Sequence, residues 1–306
     1  MTRVAVIGVG SIAKSVHLPL LMGSECEVVG VMSRTGTTAE AVARQFNIPH
    51  VYRSVDEVDA DCAFVLTPKD THAEIATALL KRRIPVFLEK PIATSLTDAE
   101  AVLHAAEQAN TLLMIAFNRR YAPVYEALKR EWATQPPDVI VAEKHRPGTE
   151  YRATLENAIH MVDLMRWICG EAREVVATSQ FTDPHYETSC VAHIRFERTL
   201  GVLVANRTCG QWMERLETFG GGRSVIAEAP ERFTIVDGKQ AHDTFLTPLA
   251  MGWASTQDRL GFRQEVEDFL RVVKHGGEVR TPAHDALETH RLVHRILEAA
   301  GLPGLA

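Results

Sequence analysis

The sequence predicts an α/β protein of two domains: an N-terminal doubly wound parallel sheet over residues 1–118, and a C-terminal α+β domain with a mostly antiparallel, open-faced sheet over residues 119–306. Three observations predict this fold class. The 306 residues exceed the length at which one hydrophobic core usually stops growing. Before Arg119, short apolar runs alternate with amphipathic segments, which is the pattern of βαβ units. After Arg119, strand-like runs follow one another with short turns, which favours antiparallel pairing.

The first domain is predicted from apolar runs that are short enough to be strands buried on both faces. These strands are expected at residues 4–8, 28–32, 62–66, 86–88 and 112–116. Helices are expected to begin near Ser11, Thr37, Thr71 and Ser95, because each hydroxyl can accept a hydrogen bond from a backbone N–H of the first helical turn.

The second domain is expected to begin with a helix at 123–132, a strand at 139–143 and a helix at 157–169. Further strands are expected at residues 174–180, 191–196, 202–208, 216–219, 224–227 and 233–236. Helices at 262–274 and 284–300 end the chain, and we expect the last one to pack back on the first domain.

Composition argues against several classes of protein. The formal net charge of −6 gives no general attraction to a phosphate backbone, so no nucleic-acid partner is expected. The longest apolar stretches, such as 18–22 and 112–117, are far shorter than the ~20 residues that span a bilayer, so no membrane partner is expected. The five cysteines contain no C-x-x-C pair, and no metal site is predicted. The N-terminus lacks a secretory signal pattern, and we expect a cytoplasmic protein.

A glycine-rich run, GVGSIA at residues 8–13, follows the first predicted strand and opens the first predicted helix. This context is typical of the dinucleotide-binding turn of a Rossmann fold. Gly8 would permit the tight turn, Gly10 would let the backbone approach the pyrophosphate, and Ala13 would allow close packing of helix and sheet. The alternative is a glycine-rich turn that binds no ligand.

The end of the second predicted strand favours NADP(H) over NAD(H), which stays possible. An acidic residue that binds the ribose of NAD is usual there, but this chain has Ser33, Arg34 and Thr35. A guanidinium offers paired donors to a 2′-phosphate, whereas a carboxylate would repel it. The alternative is a solvated surface arginine.

A strand that ends in Glu89, Lys90 and Pro91 provides the first catalytic candidate. The carboxyl end of a parallel strand lies beside the crevice where doubly wound sheets bind ligands. Pro91 restricts the backbone of Lys90 to an extended conformation and makes a cis bond possible. The ammonium of Lys90 could donate to a substrate oxygen, and the alternative is a solvated Glu-Lys pair.

Taken together with the other motifs of the sequence, these residues make the chain resemble the family of glucose-fructose oxidoreductase, inositol dehydrogenase and MocA proteins over nearly its whole length. The motifs are GVGSIA at 8–13, TPK at 67–69 with His72, EKP at 89–91, FNRRY at 117–121 and IHMVD at 159–163. The resemblance implies a Rossmann domain, an open-faced mixed sheet, a nicotinamide cofactor and hydride transfer at a sugar-like alcohol or ketone. The family's catalytic lysine falls on Lys90 and its catalytic histidine on His160.

The helix around His160 has a spacing that agrees with this assignment. Glu156, His160 and Asp163 are about one turn apart on one face, beside an apolar ridge of Ile159, Val162, Met165 and Ile168. Histidine titrates near neutrality, so it can exchange a proton with an alcohol or ketone. The alternative is a structural histidine on an amphipathic helix.

The chain departs from the family pattern at two positions. Glu156 stands where many members have aspartate, and its longer side chain moves the carboxylate by about one methylene group. Lys69 stands where asparagine is common. These departures leave the choice of substrate open.

These arguments define the candidate site. The catalytic candidates are Lys90, His160 and Glu156. The cofactor-binding candidates are Gly8, Gly10, Ser11, Ile12, Ala13, Ser33, Arg34, Thr35, Thr67, Pro68, His72, Glu89 and Lys90. The substrate-binding candidates are Lys90, Arg119, Tyr121, Asn157, His160 and Asp163, and unranked further candidates are His17, His145, Arg146, Tyr151 and Trp212.

The partner expected from these residues is a small polyol or keto-sugar, and a homo-oligomer is expected by analogy. Two other functions stay open: a ligand sensor that kept the fold without catalysis, and an enzyme whose tightly bound cofactor runs an internal redox cycle. A sensor would not need an acid-base pair such as Lys90 and His160.

Overall fold

The structure is a computed structural model that describes residues 1–148, 152–183, 186–238, 240–245 and 255–301. The chain forms two compact units. The first contains Met1–Phe117 and Phe262–Leu287, and the second contains Asn118–Gly261 and Glu288–Ala306. The domain limits predicted above, and the packing of the last helix on the first domain, stay predictions.

A six-stranded parallel sheet forms the centre of the first unit, in the order β3-β2-β1-β4-β5-β6. This is the order of a doubly wound dinucleotide-binding fold. The strands are β1 (Thr2–Ile7), β2 (Cys26–Met32), β3 (His50–Tyr52), β4 (Cys62–Val65), β5 (Val86–Glu89) and β6 (Leu113–Ala116). The predicted fold class of this half is confirmed, although β3 was not predicted.

Aromatic packing fixes the centre of this sheet. Phe64 on β4 stacks on Phe87 on β5 with ring centroids 4.5 Å apart. Phe269, from the helix Phe262–His275, meets both rings edge-on at 5.4 and 5.6 Å. Offset and edge-on contacts are the favoured geometries of aromatic pairs. The C-terminal segment of the chain therefore completes the core of the first unit.

The second unit contains an eight-stranded sheet in the order β14-β13-β12-β11-β7-β10-β9-β8. Within the described part of this sheet only the pair β10 and β7 is parallel, so the predicted mostly antiparallel sheet is confirmed. The strands are β7 (Val139–His145), β8 (Ala172–Asp183), β9 (Tyr186–Phe196), β10 (Leu200–Asn206), β11 (Met213–Gly220), β12 (Arg223–Glu228), β13 (Arg232–Asp237) and β14 (Gln240–Phe245). Strand β14 was not predicted.

Two segments that carry candidate residues wind as π-helices, Ala13–His17 and Ala153–Ala158. Each continues directly into an α-helix, α1 (Leu18–Met22) and α6 (Ile159–Cys169). The other α-helices are α2 (Gly36–Phe46), α3 (His72–Lys81), α4 (Leu96–Ala109), α5 (Pro123–Glu131), α7 (Thr256–Arg259), α8 (Phe262–His275) and α9 (Ala283–Ala299). Within the described ranges, no helix combines the length and the apolar character that a bilayer span requires.

Candidate functional site

The turn after β1 is built on a backbone contact that only glycine allows. Gly8 has a φ of +94°, and an added Cβ would lie 2.6 Å from the backbone nitrogen of Thr67 and 2.8 Å from the carbonyl oxygen of Leu66. A Cβ at these distances would collide with backbone that has no room to move. The glycine turn therefore packs directly against the end of β4.

Gly10 is in the opposite situation, because no atom lies within 4 Å of a Cβ added there. Ala13 is fully buried, as close packing of the helix on the sheet requires, while Ser11 is exposed and Ile12 is half-buried. The open space at Gly10 beside a helix start is what a pyrophosphate needs in order to approach backbone N–H groups. The residues of this turn fit a dinucleotide.

The segment after β2 presents the polar groups expected for a 2′-phosphate. Arg34 and Thr35 are exposed, Ser33 is half-buried, and Arg34 makes no ion pair within the described part of the chain. Thr35 stands at the N-cap position of α2, and its Oγ1 lies 2.8 Å from that of Thr38. An arginine beside a helix N-terminus suits a dianionic group.

Lys90 follows β5 and is half-buried, and its peptide bond to Pro91 is cis. The preceding Glu89 contacts the fully buried His17, with 3.1 Å between Oε1 and Nε2. Burial raises the pKa of Glu89, but the hydrogen bond and the charge of His17 outweigh it, so the net pKa is lowered. Glu89 thus contacts the imidazole of His17, and this imidazole in turn packs on the rings of Phe64 and Phe87.

His72 opens α3 and is only 1% exposed. Its Nδ1 lies 2.7 Å from the carbonyl oxygen of Pro91, and its Nε2 lies 2.9 Å from that of Thr67. Burial lowers the pKa of His72, while its two carbonyl contacts act in the opposite direction. The ring thus contacts both neighbouring strand-end turns.

In the second unit, His160 lies one residue into α6 and is buried, as are Glu156 and Asn157 in the π-helical turn before it. The backbone N–H of Arg152 donates to Glu156 Oε1 at 3.4 Å, and the Asn157 amide donates to the Lys144 carbonyl at 3.3 Å. His160 therefore follows Glu156 across a change from π- to α-helix. Lys90 and His160 belong to different units, and their joint action stays a prediction.

Glu187, which the sequence did not point out, anchors the start of that π-helical turn. It is fully buried on β9 and accepts hydrogen bonds from the backbone N–H of Thr154 at 2.7 Å and from the Thr154 hydroxyl at 2.9 Å. A third bond comes from the Ser179 hydroxyl at 2.7 Å. Burial raises the pKa of Glu187 and these donors partly offset it.

Arg119, a predicted substrate residue, is instead part of a buried ion cluster. Its guanidinium donates two hydrogen bonds of 2.6 Å to the fully buried Glu214, and Lys144 donates to the same carboxylate. Burial alone would raise the pKa of Glu214, but the charges of Arg119 and Lys144 lower it to about 2. Tyr125 is buried near this ion cluster. Burial, and to a smaller extent the negative charge of Glu214, raise the pKa of its hydroxyl.

Asp163 is also occupied within the protein. Its two carboxylate oxygens accept bonds of 2.6 and 2.8 Å from Arg120, and the Thr289 hydroxyl donates at 2.9 Å. Asp163 is fully buried, and Tyr121 is only 1% exposed. Arg119 and Asp163 are thus paired within the protein, and direct contacts of Arg119, Tyr121 and Asp163 with a substrate stay predictions.

The unranked candidates of the second unit differ in exposure and contacts. Arg146 and Trp212 are exposed, and His145 lies 3.8 Å from Glu143. Tyr151 lies outside the described residues. Among the described residues, no group of three or more His, Cys, Asp or Glu side chains is arranged to hold a metal ion.

Two family models match the chain. One, described as an oxidoreductase family with an NAD-binding Rossmann fold, matches residues 2–117, and one described as a GFO/IDH/MocA C-terminal domain matches residues 131–225.

Similar proteins cover nearly the whole chain. Inositol 2-dehydrogenase of Paracoccus denitrificans is 30% identical, over 92% of this chain and 89% of that protein. D-xylose 1-dehydrogenase (NADP(+)) 2 of Haloferax volcanii is 24% identical, over 96% of each. The crystal structure of an oxidoreductase from Agrobacterium radiobacter with NAD+, L-tartaric acid and magnesium has a TM-score of 0.87 at 18% identity, over 98% of this chain and 96% of that one.

The contrast between the two glycines gives a first prediction. Gly8→Ala should destabilise the protein by more than ~2 kcal/mol, because the new Cβ meets backbone at a positive φ. Gly10→Ala should change the stability by less than ~1 kcal/mol but weaken dinucleotide binding at least ~10-fold. Urea denaturation and fluorescence titration measure the two effects.

Gly210→Ala is the matched control, since a Cβ there also meets no atom within 4 Å. It should change neither quantity. Wild-type dinucleotide affinity in Gly10→Ala would show that no phosphate approaches this turn.

The depressed pKa of Glu214 gives a second prediction. A carboxylate whose folded pKa is about 2 stabilises the fold at pH values above its ordinary 4.5, and this contribution is lost as the pH falls from 4.5 towards 2. The contribution is on the order of 3 kcal/mol. Glu214→Gln should remove it and leave two buried cations without a counter-charge, so we expect a loss of ~3–5 kcal/mol at pH 7.

Denaturation of wild type and Glu214→Gln between pH 2 and 7 measures this difference. Glu197→Gln removes a carboxylate from an exposed ion pair with Arg173 and should leave the stability nearly unchanged. Equal losses in the two variants would contradict the assignment.

Proposed function

Since this chain belongs to the GFO/IDH/MocA family of oxidoreductases, we propose that it transfers a hydride between NADP(H) and a sugar, cyclitol or related polyol or ketone. The enzyme is a dehydrogenase or reductase that acts on CH–OH or C=O groups. Inositol and D-xylose, the substrates in the names of two relatives, are the first compounds to test.

One observation carries the proposal. Four segments follow the carboxyl ends of adjacent parallel strands: the glycine turn after β1, Arg34 after β2, Thr67 after β4 and Lys90 after β5. The carboxyl edge of a doubly wound sheet is where such folds bind ligands. The residues proposed to bind the cofactor and to polarise the substrate oxygen therefore follow strands at one edge of the sheet.

In the proposed mechanism, the glycine turn and Arg34 would hold the nicotinamide dinucleotide, which would supply the hydride chemistry. The Nζ of Lys90 donates a hydrogen bond to the substrate oxygen, which polarises a carbonyl and stabilises the negative charge that forms during reaction. A ring nitrogen of His160 accepts the hydroxyl proton during oxidation and returns it during reduction. Glu156, four residues earlier, is proposed to orient the imidazole or a substrate hydroxyl.

The preference for NADP(H) rests on Arg34. Arg34 is exposed directly after β2, and the segment Ser33, Arg34 and Thr35 contains no acidic side chain that would repel a 2′-phosphate. One relative carries NADP(+) in its name, and one structural neighbour was solved with NAD+. The proposed preference for NADP(H) therefore rests on Arg34 and not on these relatives.

We also propose that a second copy of the chain covers the exposed face of the eight-stranded sheet. Val176, Val191 and Leu200 are 68%, 52% and 48% exposed on the neighbouring strands β8, β9 and β10. The paired Glu174 and Arg195 lie on this face, so it carries both charges and suits a two-fold interface. Light scattering of the purified protein measures the number of subunits.

The role of Lys90 gives a third prediction. Lys90→Ala should keep cofactor affinity within ~3-fold and slow turnover by at least ~10²-fold, because the substrate oxygen loses its charged donor. Oxidation of NADPH or reduction of NADP+ with inositol, xylose and keto-sugars measures it.

Lys81→Ala, which removes an exposed lysine at the end of α3, is the control and should turn over normally. Near-wild-type turnover by Lys90→Ala would exclude this lysine from the chemistry.

The role of Arg34 gives a fourth prediction. Arg34→Ala should weaken NADPH binding at least ~10-fold and leave NADH binding unchanged, because only NADPH carries the 2′-phosphate. Arg44→Ala, which removes an exposed arginine in the last turn of α2, should change the binding of neither cofactor. Tighter binding of NADH than of NADPH by the wild type would contradict the cofactor preference.

A further inference from the structure

His72 occupies an unusual position for a histidine in a cofactor-binding domain. Its ring is 1% exposed, and each ring nitrogen faces a backbone carbonyl: Pro91 at 2.7 Å and Thr67 at 2.9 Å. A carbonyl oxygen only accepts hydrogen bonds. The ring nitrogen that carries the proton donates to one carbonyl and the other nitrogen lies against the second, so neither nitrogen is open to a cofactor or a substrate.

The two carbonyls belong to turns that carry the proposed chemistry. Thr67 follows β4, and its backbone nitrogen lies in the contact that excludes a side chain at Gly8. Pro91 follows Lys90 directly, and its own ring cannot donate a hydrogen bond. The imidazole thus links the backbone of the lysine turn to the backbone against which the glycine turn packs.

We propose that His72 is a positioning residue, which holds the Lys90–Pro91 backbone at a fixed distance from the glycine turn and so sets the place of the Lys90 ammonium. The inference rests on the proposed function of Lys90. The cofactor contact expected of His72 from the sequence is replaced by this indirect role.

The physical reason is that His72 contacts the backbone carbonyl of Pro91, the residue directly after Lys90, at 2.7 Å. A lysine ammonium ends a four-carbon side chain, so its position depends on where the fold holds the backbone of that residue. Catalysis is sensitive to such placement, since a shift of ~1 Å can cost ~10²-fold in rate. A ring held between the Pro91 and Thr67 carbonyls removes one source of that shift.

The test replaces the ring by one of similar shape without donors. In His72→Phe, we expect kcat to fall at least ~10-fold with KM and cofactor affinity within ~3-fold of wild type. His72→Gln keeps N–H donors that can reach a carbonyl, so it should recover part of kcat. His104→Phe, at an exposed histidine on α4, is the control and should behave as wild type.

A double mutant separates positioning from a general loss of structure. If His72 acts through Lys90, His72→Phe should lower kcat in the wild type but cause no further fall in Lys90→Ala. Equal factors in both backgrounds would overturn the proposal. If His72→Phe does not fold, the same comparison with His72→Gln decides it.

A readout without turnover distinguishes this inference from the proposed function. The rate at which an amine-acylating reagent labels Lys90, followed by peptide mass spectrometry, should change at least ~3-fold in His72→Phe while that of Lys81 stays constant. An unchanged rate would overturn the positioning role even in an active enzyme. A changed rate in a protein that turns over no polyol or keto-sugar would refute the proposed function and leave the positioning role in place.

Discussion

The packing of Gly8 against the peptide between Leu66 and Thr67 is the constraint on which the cofactor side of the first unit depends. The Leu66 N–H donates to the Ile7 carbonyl at 2.7 Å, so β1 and β4 stay paired up to the point where their turns meet. Because backbone lies on backbone, neither turn can shift alone. The contact of His72 with the next turn extends this constraint to the end of β5.

In the second unit, buried carboxylates have the corresponding role. Glu187 binds the backbone N–H of Thr154 at the start of the π-helical turn before His160. Asp163, about one turn after His160, is held by its ion pair with Arg120. A buried carboxylate is costly unless donors surround it, and both have at least three hydrogen bonds in which the oxygens accept. The segments before and after His160 are therefore held in place by buried charged groups, in addition to apolar packing.

The sequence predicted the features that leave a periodic or positional signal. The parallel strands and the Glu89-Lys90 turn were found because apolar runs and strand ends are visible in the chain. Strand β3 has three residues of which only Tyr52 is buried, and β14 is the polar run QAHDTF, so neither has an apolar pattern. Glu214 was not predicted because a glutamate suggests a solvated position, although every second residue of β11 from Glu214 to Thr218 is buried on the same face. Residues brought together by pairing over long separations, such as Arg119 and Glu214, leave no local signal.

The two π-helical turns have a consequence for how this chain is compared with others. A π-turn closes its hydrogen bonds over one residue more than an α-turn, and such turns are frequent at functional sites. A homologue with regular α-helices in these places would need a one-residue gap opposite each of the segments Ala13–His17 and Ala153–Ala158. Residue roles copied by a constant offset would then fall on the wrong side chain from His17 and His160 onward.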